Sequence, residues 1–464
     1  MMLLDVSRNR SAAVALAGIL TSLLAAGCGG TEQPVDAVKP APAPTDTASA
    51  ATCDEPAAPP TAEDGNEFVD SSVLVAWHEG AFKAAFDTAK NGFVGLENQR
   101  GWTIMHIAVH DALNAIRPVY GQYAFTGCQP DAHPTVATAQ AAHDVLIEVY
   151  PTLKDRFDAL LEEQLGAIPE GKGKETGIAL GKSSAAAILA ARKDDGMLVD
   201  AKYEPKPSKP GTFQVVKPLA FVYKPTLGDA RPFGVKSGKD MLPPPPPALD
   251  SAEYAKAYNE VKKFGGKKSK ARSAEQTKYS TWWAEFGDVT WNRAASIIAR
   301  ERNVDLYTAA RMFALLNIGL ADAYIVTWNA KRHHDAWRPV TAIHAAAKDG
   351  NDATSPDKKW ESLLMCPPIQ EYPSASAVQA SVSASILASV LGSDDVPFSM
   401  ETVTAPPDGK VRSFEKLSDA VAEAADSRVM AGIHFRYSTD MGVEIGKQIA
   451  STVVEKKLNP RASK

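Results

Sequence analysis

An all-α fold, built as two helical bundles packed together, is the class this sequence predicts, and three observations predict it. Most segments after residue 66 carry apolar residues at three- and four-residue steps, the pattern of helices with one buried face. No segment reads as a run of strands, and no internal repeat emerges. At 464 residues the chain is long enough for a large core, as two bundles require. The net charge of −5 is unremarkable and gives no basic field for nucleic acid, so no nucleic-acid partner is expected.

The first segment stands apart from the fold. Arg8 and Arg10 precede an apolar run from Ala12 to Ala26, which suits a secretory signal and is short for a mature membrane span. LAAGC, Leu24 to Cys28, resembles the lipobox of bacterial lipoproteins. That resemblance implies a signal over residues 1–27, cleavage before Cys28 and lipidation of its thiol. Gly29 stands where an aspartate would favour the inner membrane, so the periplasmic face of the outer membrane is expected; the alternative is an ordinary signal peptide with a chance cysteine. Membrane contact is then expected through the lipid anchor alone. Residues 28–66 are rich in Pro, Ala, Thr and acids and poor in large apolar groups, so they are expected to form a disordered tether. Cys53, Cys128 and Cys366 allow one disulfide with one thiol left over. Cys53 with Cys128 would pin the tether to the body.

The N-terminal bundle is expected over 67–240. Its helical patterns run from Val73 to Lys90, Glu97 to Ile116, Thr135 to Tyr150, Leu153 to Leu165 and Thr176 to Asp194. Between Gly196 and Pro247 prolines and scattered aromatics predict a long irregular excursion, ending in the stiff run Pro243 to Pro247. The C-terminal bundle, 241–464, opens with capping signals at Asp250 with Glu253 and Ser273 with Gln276. Asp305 to Trp328 is apolar on nearly every face, which predicts a central buried helix delivering Lys331 from its end. Val378 to Leu391, Phe414 to Val429 and Met441 to Val454 complete the set.

Three stretches carry the chemistry: KRHHDAWRP (Lys331 to Pro339), YPSAS (Tyr372 to Ser376) and SRVMAGIH (Ser427 to His434). They supply Lys331, Arg338 and Arg428 as fixed cations, Ser374 as a hydroxyl donor, the Ala375 turn as a source of backbone N–H groups, and His434 as a nucleophile or ligand. Planar guanidinium forks and an ammonium suit a tetrahedral oxyanion, and a neutral imidazole suits bonding to its central atom. Lys331 and Arg338 would share a face of one continuous helix at about 100° per residue, but Pro339 biases Arg338 out of it, so the helix is expected to end near Trp337. Arg428 and His434 are out of register on an ideal helix, so the backbone must break between them, and Gly432 is the place. Ser374 also reads as a plain helix N-cap. His106 and His110 could formally hold a metal on one helix face, but core packing is the expected role.

The order lysine, six residues, Arg-Pro, then PSxx, then Ser-Arg, five residues, His resembles the superfamily of vanadium-dependent haloperoxidases and type 2 phosphatidic acid phosphatases. DALNAI (Asp111 to Ile116), RPF (Arg231 to Phe233), ARSAEQT (Ala271 to Thr277), WRPVTAIH (Trp337 to His344), EYPS (Glu371 to Ser374) and GIHFRYSTDMG (Gly432 to Gly442) look like its bacterial haloperoxidase-like branch. The resemblance implies a pair of four-helix bundles. It also implies vanadate as cofactor, with His434 as the vanadium ligand and Lys331, Arg338, Ser374, Ala375 and Arg428 around the oxygens. Hydrogen peroxide, a halide and an organic acceptor would be the small-molecule substrates. In the phosphatase alternative, His434 attacks a phosphoester and forms a phosphohistidine. The family's PSGH pattern is altered here, with Ala375 for the glycine and Ser376 for the histidine. Ser376 cannot exchange protons as imidazole does, and such help is worth about 10² to 10⁴ in rate. A third alternative is therefore an oxyanion-binding lipoprotein with little catalysis. Asp440 stands six residues after His434, too far along to take the role of the phosphatase acid at the fourth. His333, His334 and His344 lie close in sequence, and nothing in the spacing selects one.

Overall fold

The computed structural model describes residues 55–89, 94–204, 206 and 208–461. The signal, Cys28 and Cys53 lie outside them. The last part of the expected tether is not free: Ala57 N–H donates to Pro118 O at 3.2 Å, Arg117 Nε donates to Ala58 O at 2.9 Å, and Arg117 pairs with Asp64 at 2.6 Å. Arg117 sits at the end of a buried helix and reaches back to hold this stretch on the body. Composition could not reveal that long-range anchor. Cys128 is disulfide-bonded and Cys366 is a free, buried thiol, so Cys366 is the odd sulfur among the described residues.

The fold is all-α. The first group of helices is α1 (Asn66–Val69), α2 (Ser72–Thr88), α3 (Leu96–Ile116), α4 (Pro134–Val149), α5 (Lys154–Gly166) and α6 (Lys172–Ala191). After the irregular excursion come α7 (Ala252–Phe264), α8 (Ala274–Trp282), α9 (Gly287–Glu301), α10 (Leu306–His334), α11 (Pro339–Ala345), α12 (Ala375–Leu391), α13 (Leu417–Met430) and α14 (Arg436–Lys456). The capping box at Ser273 forms, with Gln276 N–H on Ser273 Oγ at 3.0 Å and Ser273 N–H on Gln276 Oε1 at 2.8 Å. The other start signal is displaced by one residue: Ser251, not Asp250, caps α7 by accepting from Tyr254 N–H at 3.1 Å. A hairpin, β1 (Phe398–Glu401) with β2 (Val411–Phe414), was not expected. Strands of four residues are too short to show a period.

Helix α10 organises both groups. Asp305 caps it by accepting from Tyr307 and Thr308 N–H, and every residue from Leu306 to Lys331 except Thr308 is buried. Its length and apolarity would serve a membrane span, but here they serve the core. It packs against α3 on one side and α12 on the other, so Lys331 is carried on a buried helix held by both groups.

The proline-rich excursion is a strap over the end of α10. Asp322, buried in α10, accepts the N–H groups of Phe233, Gly234 and Val235 at 2.6, 2.7 and 2.7 Å. Phe213 N–H donates to Asp335 O at 2.7 Å and Trp337 N–H to Gly211 O at 3.0 Å. Further along, Tyr372 Oη donates to Pro244 O at 2.9 Å, and His334 Nε2 lies 3.0 Å from Pro243 O. The strap thus fixes both pieces of chain that flank the candidate site.

Candidate oxyanion site

Lys331 lies in the last turn of α10 and is 1 % exposed. Its ammonium donates to the carbonyls of Gln370 and Glu371 at 2.7 and 2.8 Å, binding the helix to the stretch that leads into α12. The helix ends earlier than Pro339 alone suggested. Asp335 adopts φ 51, ψ 37 and stops it at His334, a left-handed conformation that Asp tolerates better than most residues. Arg338 is then the N-cap of α11 instead of part of α10. Its Nε donates to Ile369 O at 2.8 Å, its Nη1 donates to Ile433 O at 2.9 Å, and the same Nη1 lies 3.2 Å from His434 Nε2.

Ser374 is the N-cap of α12, but its hydroxyl caps nothing. The side chain is buried, and its Oγ has no hydrogen-bond partner within the protein. A buried hydroxyl without a partner is uncommon and asks for a ligand or ion. Ala375 opens the helix, where a negative φ makes glycine unnecessary. The first amides of α12 have no carbonyl one turn back to bond, so the Ala375 N–H is available for an anion.

The break between Arg428 and His434 falls where expected. Helix α13 ends at Met430, Gly432 takes φ +78, and α14 starts at Arg436. A side chain at Gly432 would be excluded twice, by that φ and by Gly265 O, which would lie 2.3 Å from its Cβ. His434 is held at both ring nitrogens. Nδ1 lies 2.8 Å from Glu371 Oε1 and Nε2 faces Arg338. Arg428 donates from Nη2 to Trp283 O and from Nε to Ser427 Oγ at 3.1 Å.

Charge gives the cluster its selectivity. Lys331, Arg338 and Arg428 are all buried, and Glu371 is the carboxylate in direct contact with the imidazole. Even with Glu371 ionised, three cations against one carboxylate leave a surplus of two positive charges, which a dianionic tetrahedral oxyanion would cancel. Burial shifts every member. Burial, then the charge of Arg338, drives Lys331 well below its usual range, with Glu371 pulling the other way. Burial lowers Arg428 to about 10. Burial, with Arg338, Lys331 and Arg428 adding to it, holds His434 far below an ordinary histidine, so the ring is neutral. Burial raises Glu371 to about 7 against the pull of Arg338 and Lys331.

Arg338 thus meets His434, and Lys331 and Arg428 are near enough to act on its charge, while Ser376 lies beside Arg428. Ser376 is half-buried and shares a narrow cleft with Arg428, Trp283, Glu285, Trp291 and Gly287. The free volume of that cleft is about 10 Å³, room for roughly one water. Glu285 is committed elsewhere, paired with Arg293 and accepting from Thr290 Oγ1 at 2.9 Å. His106 bonds His78 at 3.0 Å while His110 contacts Asp111 and Asn114, so the two serve different core networks. His344 Nε2 lies 2.8 Å from Trp360 O, Asp440 is exposed, and His333 makes a ring contact with His334. The residue the sequence did not single out as a partner is Glu371. No local spacing points to Glu371, which lies 63 positions upstream of the histidine.

Fold and site together define a helical protein with buried cations gathered near a carboxylate-backed imidazole. Residues 311–461 match the family described as the VCPO second helical-bundle domain. Among solved structures, a bacterial vanadium-dependent iodoperoxidase is similar over 85 % of this chain and 99 % of its own, with TM-score 0.73 and 23 % identity. The holo form of a bacterial vanadium-dependent chloroperoxidase is similar over 83 % and 97 %, with TM-score 0.65 and 18 % identity. An apo-type bacterial chloroperoxidase structure aligns over 77 % and 92 %, with TM-score 0.61 and 17 % identity. No curated protein matches. The second helical bundle thus matches that family over residues 311–461, and the fold is the one seen in the bacterial vanadium-dependent haloperoxidase structures.

Proposed function

We propose that this protein is a vanadium-dependent haloperoxidase-like enzyme that oxidises halide with hydrogen peroxide. The observation that carries this reading over a phosphatase is the likeness in fold, over more than four-fifths of the chain, to bacterial vanadium-dependent iodoperoxidase and chloroperoxidase structures. The residues fit vanadate on three counts: the surplus of buried positive charge, the unpartnered Ser374 hydroxyl and the neutral imidazole. Vanadate, when bound, supplies a Lewis-acidic centre at which peroxide is activated toward a halide.

The protein's own groups divide the remaining work. His434 offers the lone pair of Nε2 as ligand. Lys331, Arg338 and Arg428 hold the oxyanion's oxygens and offset its charge, and Lys331 also polarises peroxide oxygen. Ser374 donates its hydroxyl and Ala375 its amide. Burial of the cradle excludes bulk water and strengthens each of these contacts. Ser376 offers a hydroxyl where an imidazole would exchange protons, which favours the more easily oxidised iodide and bromide over chloride. For localisation we propose the periplasmic face of the outer membrane, with Cys28 lipidated; palmitate labelling lost in Cys28→Ala checks it.

The deciding experiment loads purified protein separately with vanadate and with phosphate and assays both chemistries. The expected result is vanadate-dependent oxidation of iodide or bromide by peroxide, abolished in His434→Ala. Turnover of an aryl phosphate, inhibited by vanadate, would replace this reading with the phosphatase. Saturable oxyanion binding with neither activity would leave a binding protein.

A further inference from the structure

We propose that Glu371 is the positioning residue that fixes His434 in the tautomer with a bare Nε2. The proposal rests on the reading above, in which Nε2 is the atom that meets the oxyanion's central atom. Glu371 Oε1 lies 2.8 Å from His434 Nδ1 and also accepts the Phe435 N–H at 3.1 Å. The carboxylate is thereby held by the backbone immediately after the histidine it faces. Ionised, Glu371 is an acceptor only, so Nδ1 must then carry the proton. The opposite side of the ring agrees. Arg338 Nη1, 3.2 Å from Nε2, is a donor only, so Nε2 must present its lone pair.

The other groups around the ring cannot impose this arrangement. Ser438 Oγ, 3.4 Å from Nδ1, is at the limit of hydrogen-bond distance and can donate as readily as accept. If it donated, the proton would move to Nε2 and stand donor against donor with Arg338. Asp440 is exposed on α14, and no hydrogen bond joins it to the ring. Glu371 is also tied in from behind, because Lys331 donates to its carbonyl at 2.8 Å. One residue thus sets both the ring's tautomer and the position of a cradle cation. Its second oxygen, Oε2, is buried without a partner, so only Oε1 is engaged and the carboxylate's direction is set by the histidine and the Phe435 amide.

The test uses the full mature chain with histidine-selective ¹⁵N labelling, the His434 signals being assigned by difference from His434→Gln. Without any oxyanion, the wild type is expected to show a protonated Nδ1 and an unprotonated Nε2. Glu371→Gln, whose amide can turn its donor toward the ring, is expected to show a mixture, and Ser438→Ala the wild-type pattern. Calorimetry then separates positioning from charge. Phosphate is held by the cations, the Ser374 hydroxyl and the Ala375 amide without a bond to the imidazole, so Glu371→Gln should leave its affinity unchanged or raise it. Vanadate draws on the imidazole lone pair, so its affinity should fall about 10- to 100-fold. An unprotonated Nδ1 in the wild type, or vanadate and phosphate affinities moving together in Glu371→Gln, would overturn the proposal. Neither readout needs turnover, so a protein without peroxidase activity would refute the function above and leave this inference to stand or fall alone.

Discussion

Arg338→Met is the sharpest probe of the surplus charge in the cradle. Arg338 is 1 % exposed and points one N–H at His434 while two others hold the Ile369 and Ile433 carbonyls. For the wild type, phosphate at 100 times its dissociation constant stabilises the folded state by about 2.7 kcal/mol. With an unfolding entropy of about 2.1 cal/mol/K per residue over roughly 400 residues, that is a rise of ~3 °C in Tm. Losing a buried, hydrogen-bonded charge partner weakens binding by about 2 to 5 kcal/mol. A 100-fold loss lies inside that range, and it brings the same phosphate concentration down to the dissociation constant. The variant then gains only about 0.4 kcal/mol, or ~0.5 °C. Because the orphaned carbonyls lower the variant's own baseline, each shift is read against the same protein without phosphate. Arg332→Met is the control: Arg332 is partly exposed and pairs with Asp229 outside the cradle. It reports the general salting effect of phosphate and should shift as the wild type does. Equal shifts in Arg338→Met and Arg332→Met would refute the electrostatic reasoning, as would the absence of any shift in the wild type.

Three further outcomes are expected. Gly432→Ala forces a side chain into a left-handed φ and against Gly265 O, a destabilisation of about 2 to 4 kcal/mol; urea melts should show it, with oxyanion binding lost in the protein that remains folded. Acid should weaken the protein through His78 and His106, which lie 3.0 Å apart. Burial holds His78 down at about 4 and His106 far below its usual value. Both stay neutral in the fold while the unfolded chain protonates below about pH 6.5, so stability falls as pH drops. At pH 5 His78 alone accounts for about 2 kcal/mol. Asp288 and Asp322, raised by burial to about 7 and 6, act with the opposite sign; the check is therefore a shallower loss between pH 7 and pH 5 in His78→Gln than in the wild type. Finally, Ser376→His should raise halide-oxidation kcat by about 10² or more, and an unchanged kcat would remove proton exchange at that position from the account.

The parts that could be read from the chain were those encoded locally. The burial of α10, the capping box at Ser273 and the break at Gly432 each depend on a few neighbouring residues, and each forms as the spacing requires. The same holds for Arg338 and His434, which their sequence blocks single out and which meet in space. What escaped was set by long-range partners. Asp335 stops α10 with a left-handed turn that aspartate does not advertise, and the strap reinforces the stop through Phe213 and Trp337. The hairpin is too brief to have a period. Glu371 was in plain view as part of EYPS, yet its partner is known only once two distant stretches meet.

The position of α10 between α3 and α12 bears on how such a protein could be divided or rebuilt. A gene cut between the two groups of helices would hand one fragment a rod apolar on every side and leave the other with an uncovered groove. Neither piece would be fit for water. Shuffling halves between relatives should therefore yield aggregates unless the rod and both of its seats travel together.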